Sequence, residues 1–499
     1  MKLRRLQIEG YKNVRSCDIE FTQSPLINAV IGSNGSGKSN LIEAILQILI
    51  GCYFEKPPRF DFTFEFEAKN RVVVLNRSGS RTSVVVDGNR VPLGEFAGRL
   101  RVGPDQECYP DSTLVYYSGE CQRVPKLIGR YRRHFQKLTQ DPKTDRLRPL
   151  FVRSSNDQSQ VILLALFAHD HRQLLAYLGL QAISDVRIVL RSPGGYDPER
   201  HEPKLWNTEG AIRRVVAALE ETSSHQNTVR RTKHLGEFSS RGPDIARRDT
   251  HVDERTYHFG NDKRGGIKEL AGRLERSGDN IYLALESLRA RGMFQSVSCK
   301  LRGRNARELF SFDQLSEGEK QLLAVVGAVR LTNQKDNLVL LDEPDTHLNP
   351  HWSWDYPSLL TEAFKSEQQP RSTVLMATHD PVMISGMVRE QVLLANRPTP
   401  DQPLLAQPLF SRPHRNPRGQ GVANLLCSSE FFGLPSSLDK ETQKVLDERL
   451  AISIKPRLTD SDKARLGALN EQLQILPGVS ERDPDYVAFL QRRHATTPR

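Results

Sequence analysis

The chain has 499 residues, 37% hydrophobic and 26% charged, with 71 Lys plus Arg against 60 Asp plus Glu and a formal net charge of +11. That length is enough for about two to four domains, and no run of about 18 uncharged apolar residues is present to cross a membrane. The six cysteines are scattered without a CxxC pair, which argues against a disulfide framework or a structural zinc and for a reducing cytoplasm.

The elements begin with an alternation, Leu3, Leu6 and Ile8, then Val14, Ile19 and Phe21, around the turn residues Gly10 and Asn13. It predicts an opening pair of strands. Leu26 to Ile31 predicts a buried strand, and Leu41, Ile42, Ile45, Ile48 and Leu49 a helix. Between them, Gly32-Ser33-Asn34-Gly35-Ser36-Gly37-Lys38-Ser39, followed by Asn40, matches G-x-x-x-x-G-K-[ST] in full. Gly35 and Gly37 let the backbone curl so that successive N–H groups point at phosphates. The helix starting near Lys38 adds its positive end. Lys38 is expected to reach the β- and γ-phosphates of ATP, and the Ser39 hydroxyl to bind Mg²⁺.

Further strands are expected at 62–66, 72–75, 84–86 and 114–117. The segment from Cys121 to Arg153 then holds ten Lys or Arg against two Asp, the densest basic stretch of the chain. Its Arg130-Tyr131-Arg132-Arg133, Arg146, Arg148 and Arg153 could track DNA phosphates, form a solvated helix face, or meet an acidic partner surface. A helical pattern follows over 158–178, where His169-Asp170-His171 reads as an exposed helix end. The polar stretch 223–266 reads as a long mobile loop. Helical sequence returns over 267–289 and a strand pattern over 294–301.

Compact α/β sequence runs from about Phe310 to Asn396. In Leu315-Ser316-Glu317-Gly318-Glu319-Lys320-Gln321, Ser316 and the Gly318 backbone at a helix start form a second anion site. Taken alone the segment equally fits a capping box, Ser316 with Glu319. Leu338 to Leu341 is an apolar run suited to a strand buried on both faces, ending in Asp342-Glu343. Asp342 would hold the Mg²⁺ shell and Glu343 would orient or deprotonate the attacking water. The run Thr373 to Ala377 ends in Thr378-His379-Asp380, placing His379 to sense the γ-phosphate. A Pro-rich connector, Arg397 to Arg418, leads to short helical segments that include 461–473 and 486–493.

Together these motifs resemble the ABC-type ATPase head in the branch of SMC, RecF and OLD-like proteins. Gly32 to Ser39 corresponds to Walker A, Leu315 to Gln321 to the signature, Leu338 to Glu343 to Walker B and His379 to the switch histidine. Asp345-Thr346-His347-Leu348-Asn349-Pro350 resembles the D-loop, and Gln122 is the nearest candidate for the glutamine-loop metal contact. The resemblance implies an α/β P-loop ATPase head split by an insertion. Its N-terminal half is 1–120, a basic and mainly helical insertion spans 121–302, the C-terminal half is 303–396, and a helical tail follows over 397–499. It also implies ATP sandwiched between Walker A of one copy and the signature serine of another. The sequence lacks the long coiled coils of SMC heads, an HNH pattern and, after His379, a strand-embedded DxD of a Toprim nuclease, Asp483-Pro484-Asp485 reading as a turn and helix start. Softer matches, among them Val115 to Glu120 and Leu425 to Leu438, resemble the ATPase subunits of the Septu anti-phage system. That likeness implies a homo-oligomer acting with a separately encoded HNH nuclease on DNA. The alternative is a RecF-like or OLD-like ATPase of DNA repair or replication without a nuclease partner.

Overall fold

A computed structural model describes residues 1–21, 26–101, 108–119, 123–138, 149–193, 196, 205–234, 249–260, 266–304, 308–332, 336–364, 371–396 and 409–474. The chain divides into two compact units, Met1–Gly419 and Gln420–Arg499.

The first unit carries three sheets. The opening sheet has strands β1 (Lys2–Tyr11), β2 (Val14–Glu20), β4 (Asp61–Ala68), β5 (Arg71–Ser78), β6 (Arg81–Val86) and β7 (Asn89–Val91), ordered β2-β1-β4-β5-β6-β7 with antiparallel pairs. Its alternation is strict in β4, where Phe62, Phe64 and Phe66 are buried and the residues between them are not. These rings share a core with helix α1 (Lys38–Tyr53), whose Leu41, Ile45 and Leu49 are fully buried. Each such side chain contributes about 1.5–3 kcal/mol. Helix α2 (Leu93–Arg101) packs beside α1 through Phe96 and Leu100.

The central sheet has strands β3 (Ile27–Ile31), β8 (Ser112–Tyr117), β9 (Phe151–Ser154), β15 (Asn337–Asp342), β16 (Thr373–Thr378), β17 (Val392–Ala395) and β18 (Phe410–Ser411), ordered β18-β17-β3-β16-β15-β8-β9. All pairs are parallel except β17 with β18. Every residue of β15 and β16 is buried, which is why both read as unbroken apolar runs rather than alternations. Because β3, β16 and β15 are parallel neighbours, the segments that follow them emerge together at one edge of the sheet.

The third sheet has strands β10 (Leu180–Arg191), β11 (His225–His234), β12 (Asp249–Phe259), β13 (Phe294–Gly303) and β14 (Phe310–Ser311), ordered β11-β12-β10-β13-β14 and antiparallel. It corrects the expected loop at 223–266, since β11 and β12 pair over ten residues there. The period of two was hidden because charged residues occupy inward positions of β12. Asp253 and Arg255 are buried, Asp253 accepting from Arg230 Nε at 2.8 Å and Arg255 paired with Glu220 and lying 4.6 Å over the Trp206 ring. The expected insertion is therefore helical around a sheet, and its boundaries shift. Strand β9 belongs to the central sheet, β14 to the third sheet, and β18, inside the expected connector, to the edge of the central sheet.

The helices of this region are α3 (Arg123–Leu138), α4 (Ser159–Ala168), α5 (Arg172–Tyr177), α6 (Gly210–Thr222), α7 (Ile267–Glu275) and α8 (Ile281–Ala290). Helix α3 buries Val124, Ile128, Tyr131 and Phe135, one stripe at helical spacing, and leaves its arginines on the other face. His169 is not an exposed end: its side chain is 7% exposed, its Nδ1 lies 2.5 Å from Glu275 Oε1, and its Nε2 accepts from the Ile281 N–H. Helix α9 (Glu317–Leu322) continues through a π turn, Leu323–Gly327, into α10 (Ala328–Thr332). Helices α11 (Pro350–Ala363) and α12 (Pro381–Ile384) follow β15 and β16.

The second unit holds α13 (Val422–Cys427), α14 (Lys440–Ser453) and α15 (Asp460–Gln474), with Arg465 Nε donating to Glu448 Oε1 at 2.7 Å between the last two. Helix α15 covers the expected 461–473, while the expected helix at 486–493 lies outside the described residues.

Candidate active site

The phosphate loop leaves β3 at Gly32 and enters α1 at Lys38. Three glycines carry its shape. A Cβ at Gly32 would lie 2.4 Å from the Ala395 carbonyl oxygen of β17, and Gly35 and Gly37 take φ of 81° and 106°, the left-handed region that favours glycine. Lys38 Nζ lies over the loop, donating to the carbonyls of Gly32 at 2.6 Å and Ser33 at 3.2 Å. Burial pushes its pKa down, against the opposing pull of Glu343, Asp342 and Asp345. Ser36 is buried, and among the described residues its Oγ has no hydrogen-bond partner, so the loop carries a donor left over for a ligand.

Ser39 Oγ donates to Asp342 Oδ1 at 3.0 Å, joining the loop to the end of β15. Burial lifts the Asp342 carboxyl to about 6. Glu343 follows with φ of 49°, an uncommon conformation for a side chain of this type and one that clusters at functional sites. Its N–H donates to the Ala377 carbonyl of β16 at 2.9 Å, and its Oε1 stands 3.6 Å from His379 Nδ1. Both remain reachable, His379 at 52% and Glu343 at 33% exposure. Asp345, also lifted to about 6 by burial, accepts from Thr378 Oγ1 at 3.0 Å and ties the segment after β15 to β16.

Asn13, read in the sequence only as a turn residue, proves to be part of the site. Its Nδ2 donates to the Gly35 carbonyl at 2.7 Å and its Oδ1 accepts from Asn40 Nδ2 at 2.5 Å. Asn40 also accepts from Arg123 Nη1 at 3.3 Å, at the start of α3. The signal available was the position of Asn13 in a tight turn two strands before the loop, and nothing in its spacing marks it.

Ser316 caps α9 in a complete capping box: Ser316 N and Oγ both lie 2.7 Å from Glu319 Oε2, and Glu319 N donates back to Ser316 Oγ at 3.3 Å. Gly318 is required by close approach, because a Cβ there would lie 2.7 Å from the His347 carbonyl oxygen and 3.2 Å from the Trp352 ring. Gln321 Oε1 accepts from the His347 N–H at 3.0 Å, fixing this segment against the one after Glu343. Among the described residues no hydrogen bond or ion pair joins Ser316, Gly318 or Glu319 to the phosphate loop. The expected loop, Ser33 to Asn40, is thus brought together with Asp342, Glu343 and His379, while Gln122 lies outside the described residues.

The donor set fits a nucleotide with a hard cation. Ser39 and Asp342 offer adjacent oxygens, and among the described residues no group of three or more His, Cys, Asp or Glu is arranged to hold a metal alone. Mg²⁺ is commonly bound in that way, by one or two protein oxygens plus phosphates.

The chain matches two families, one described as "AAA domain" over residues 5–187 and one as "AAA domain, putative AbiEii toxin, Type IV TA system" over residues 183–385. It is 23% identical to the Septu protein PtuA of Bacillus mycoides over 34% of this chain and 23% of that protein. It is 26% identical to the DNA replication and repair protein RecF of Anaeromyxobacter dehalogenans over 49% of this chain and 71% of that protein. It is 28% identical to the retron Vc95 probable ATPase of Vibrio cholerae over 26% of each chain. The chain therefore spans about a quarter of the length of the first and third of these relatives. Among solved structures, an SMC head bound to the C-terminal winged-helix domain of ScpA aligns over 80% of this chain and 95% of that one, at 13% identity and a TM-score of 0.33.

Proposed function

We propose that the chain is an ABC-type ATPase that binds and hydrolyses ATP as one subunit of a prokaryotic anti-phage defence complex. In that complex two copies pair head to head around ATP and hold a separately encoded HNH nuclease that degrades DNA. The observation that carries the ATPase reading is the convergence of Lys38, Ser39, Asp342, Glu343 and His379 at one sheet edge. The defence setting is supported by the likeness to the Septu protein and the retron ATPase.

In this reading the loop N–H groups, Lys38 and Ser36 grip the phosphates. Ser39 and Asp342 would hold Mg²⁺, which supplies charge neutralisation on the phosphate oxygens. Glu343 accepts the proton of the attacking water, and His379, 3.6 Å from it, holds that carboxylate in place beside the γ-phosphate position. The signature residues Ser316 and Gly318 of the second copy would cover the γ-phosphate, completing a site that one copy holds only in part.

The test is Glu343→Gln. It is expected to keep ATP bound, slow turnover and enrich head pairs in ATP, read by mass photometry and phosphate release. Unchanged turnover together with an unchanged oligomer distribution would sink the sandwich mechanism. Purification from the native host should co-isolate a small HNH protein.

A second reading, a RecF-like repair or replication ATPase, is favoured by one observation, the 71% coverage of the RecF relative. It predicts that the chain returns without a nuclease and binds duplex DNA tightly only with ATP.

A further inference from the structure

A cavity of about 560 Å³ opens between α3, β9, the Asn156–Gln158 turn and α8, and no residue of the phosphate loop lines it. Its floor is apolar and aromatic, with Tyr131, Phe135 and Phe151. Its rim carries Lys126, Arg132, Arg133 and Arg153, all exposed, and none makes a hydrogen bond or salt bridge to another described residue. The charges deeper in the cavity are by contrast settled. Glu286 accepts from Gln158 Nε2 at 2.7 Å and faces Arg289 Nε at 3.0 Å. Asp157 is the one other carboxylate on the lining.

The lining carboxylate Glu286 attracts Arg132 but is itself held by Gln158 and Arg289, so the four rim cations around a bounded hollow still repel one another unless a further anion joins them, and guanidinium groups grip phosphate in two-pronged fashion. A flat surface with the same charges would suit a nucleic acid backbone. Here the charges ring a concavity whose volume falls within the range of small-ligand sites, about 300–1,000 Å³, and whose aromatic floor suits a planar ring. We infer that this cavity binds a small phosphorylated nucleoside, with its phosphate on Arg132, Arg133, Arg153 and Lys126 and its base on the aromatic floor. The site is separate from the ATP loop and does not depend on the proposed nuclease partner. It does lie against the ATPase machinery: α3 begins at Arg123, which donates to Asn40 beside the phosphate loop.

The experiment titrates the full chain with AMP, GMP, UMP and dTMP, and with inorganic phosphate, by calorimetry. Four proteins are compared: the wild type, Lys38→Ala, Arg132→Ala/Arg133→Ala and Arg153→Ala. At least one nucleotide is expected to bind at one per chain, to bind equally in Lys38→Ala, and to lose about tenfold or more in affinity in each cavity variant. Should the double variant fail to fold, Arg153→Ala on β9 carries the comparison. Absence of binding by all four nucleotides overturns the inference, as does binding that Lys38→Ala abolishes and the cavity variants leave intact. A third contrary result is loss of oligo-dT binding in Arg132→Ala/Arg133→Ala with no nucleotide bound, which would make the rim a nucleic acid face.

Discussion

Ser39 Oγ and Asp342 Oδ1, 303 residues apart in the chain, are joined by a 3.0 Å hydrogen bond. The bond closes the gap between two neighbouring structural pieces, the helix after β3 and the tip of β15, and it sets two oxygens side by side where a phosphate-bound cation needs them. Ser39→Ala removes one of the two. Affinity for ATP with Mg²⁺ is expected to fall about tenfold or more, while affinity measured in chelator changes little. Equal losses with and without Mg²⁺ would show that the hydroxyl serves the fold and not the cation.

The same carboxylate sets a pH dependence. Burial raises the Asp342 pKa from 3.8 to about 6, with the Ser39 hydrogen bond and Lys38 acting the other way. A folded value above the unfolded one means that the folded chain holds the proton more tightly. This stabilising contribution is complete below the unfolded value and is lost as pH rises through about 6. Asp345 shifts in the same direction for the same cause. Without nucleotide, Asp342→Asn is expected to be more stable than the wild type at pH 7 by about 1–3 kcal/mol. The difference should shrink toward pH 4 in urea unfolding. A constant difference across that range would remove Asp342 as its source.

Glu343 and His379 act as a unit if their 3.6 Å approach is functional. Glu343→Gln is expected to lower kcat by about 10²-fold or more with ATP affinity kept, and His379→Ala to lower it in the same direction. The double variant should then be little slower than Glu343→Gln alone, because either change dismantles the same arrangement. Multiplicative losses in single-turnover assays would mean that His379 acts elsewhere.

What was legible in the sequence follows from where chemistry and periodicity coincide. Gly32 to Ser39 announces itself because the loop needs glycines at fixed places, and the apolar runs of β15 and β16 are conspicuous because both faces are covered. The third sheet was not legible, since β11 has Val229 as its one large apolar residue and β12 buries Asp253 and Arg255 in paired form. A period-two reading depends on apolar inward residues, and paired charges defeat it. Asn13 was equally hidden, because its role comes from a contact 22 residues away and not from a local pattern.

The π turn in the helix that starts at the signature ends at Gly327, packed closely against α4. A Cβ at Gly327 would lie 2.6 Å from Ile162 Cγ2 of α4. Gly327→Ala is expected to destabilise the chain by about 1–3 kcal/mol through overpacking. Ile162→Val in the same chain should recover part of that loss by removing bulk where the new methyl lands. Chemical denaturation of the four-protein cycle reads the coupling, and additive effects would show that Gly327 and Ile162 do not act on one another.

Asn13 gives the sharpest separation of positioning from chemistry. Its side chain holds the Gly35 carbonyl at 2.7 Å and is held in turn by Asn40, so it fixes the crest of the loop without any claim on the reacting atoms. Both bonds are exposed, so losing them together costs only about 0.7–1.5 kcal/mol. Asn13→Ala should therefore weaken ATP affinity by roughly three- to tenfold or somewhat more. The rate of the bound complex in single-turnover assays should change much less, because Glu343 and His379 are fixed from β15 and β16. Asn13→Asp keeps the acceptor for Asn40 but loses the donor to Gly35, and it is expected to behave like Asn13→Ala. If the aspartate variant instead matches the wild type, the bond to Asn40 is the one that holds the loop.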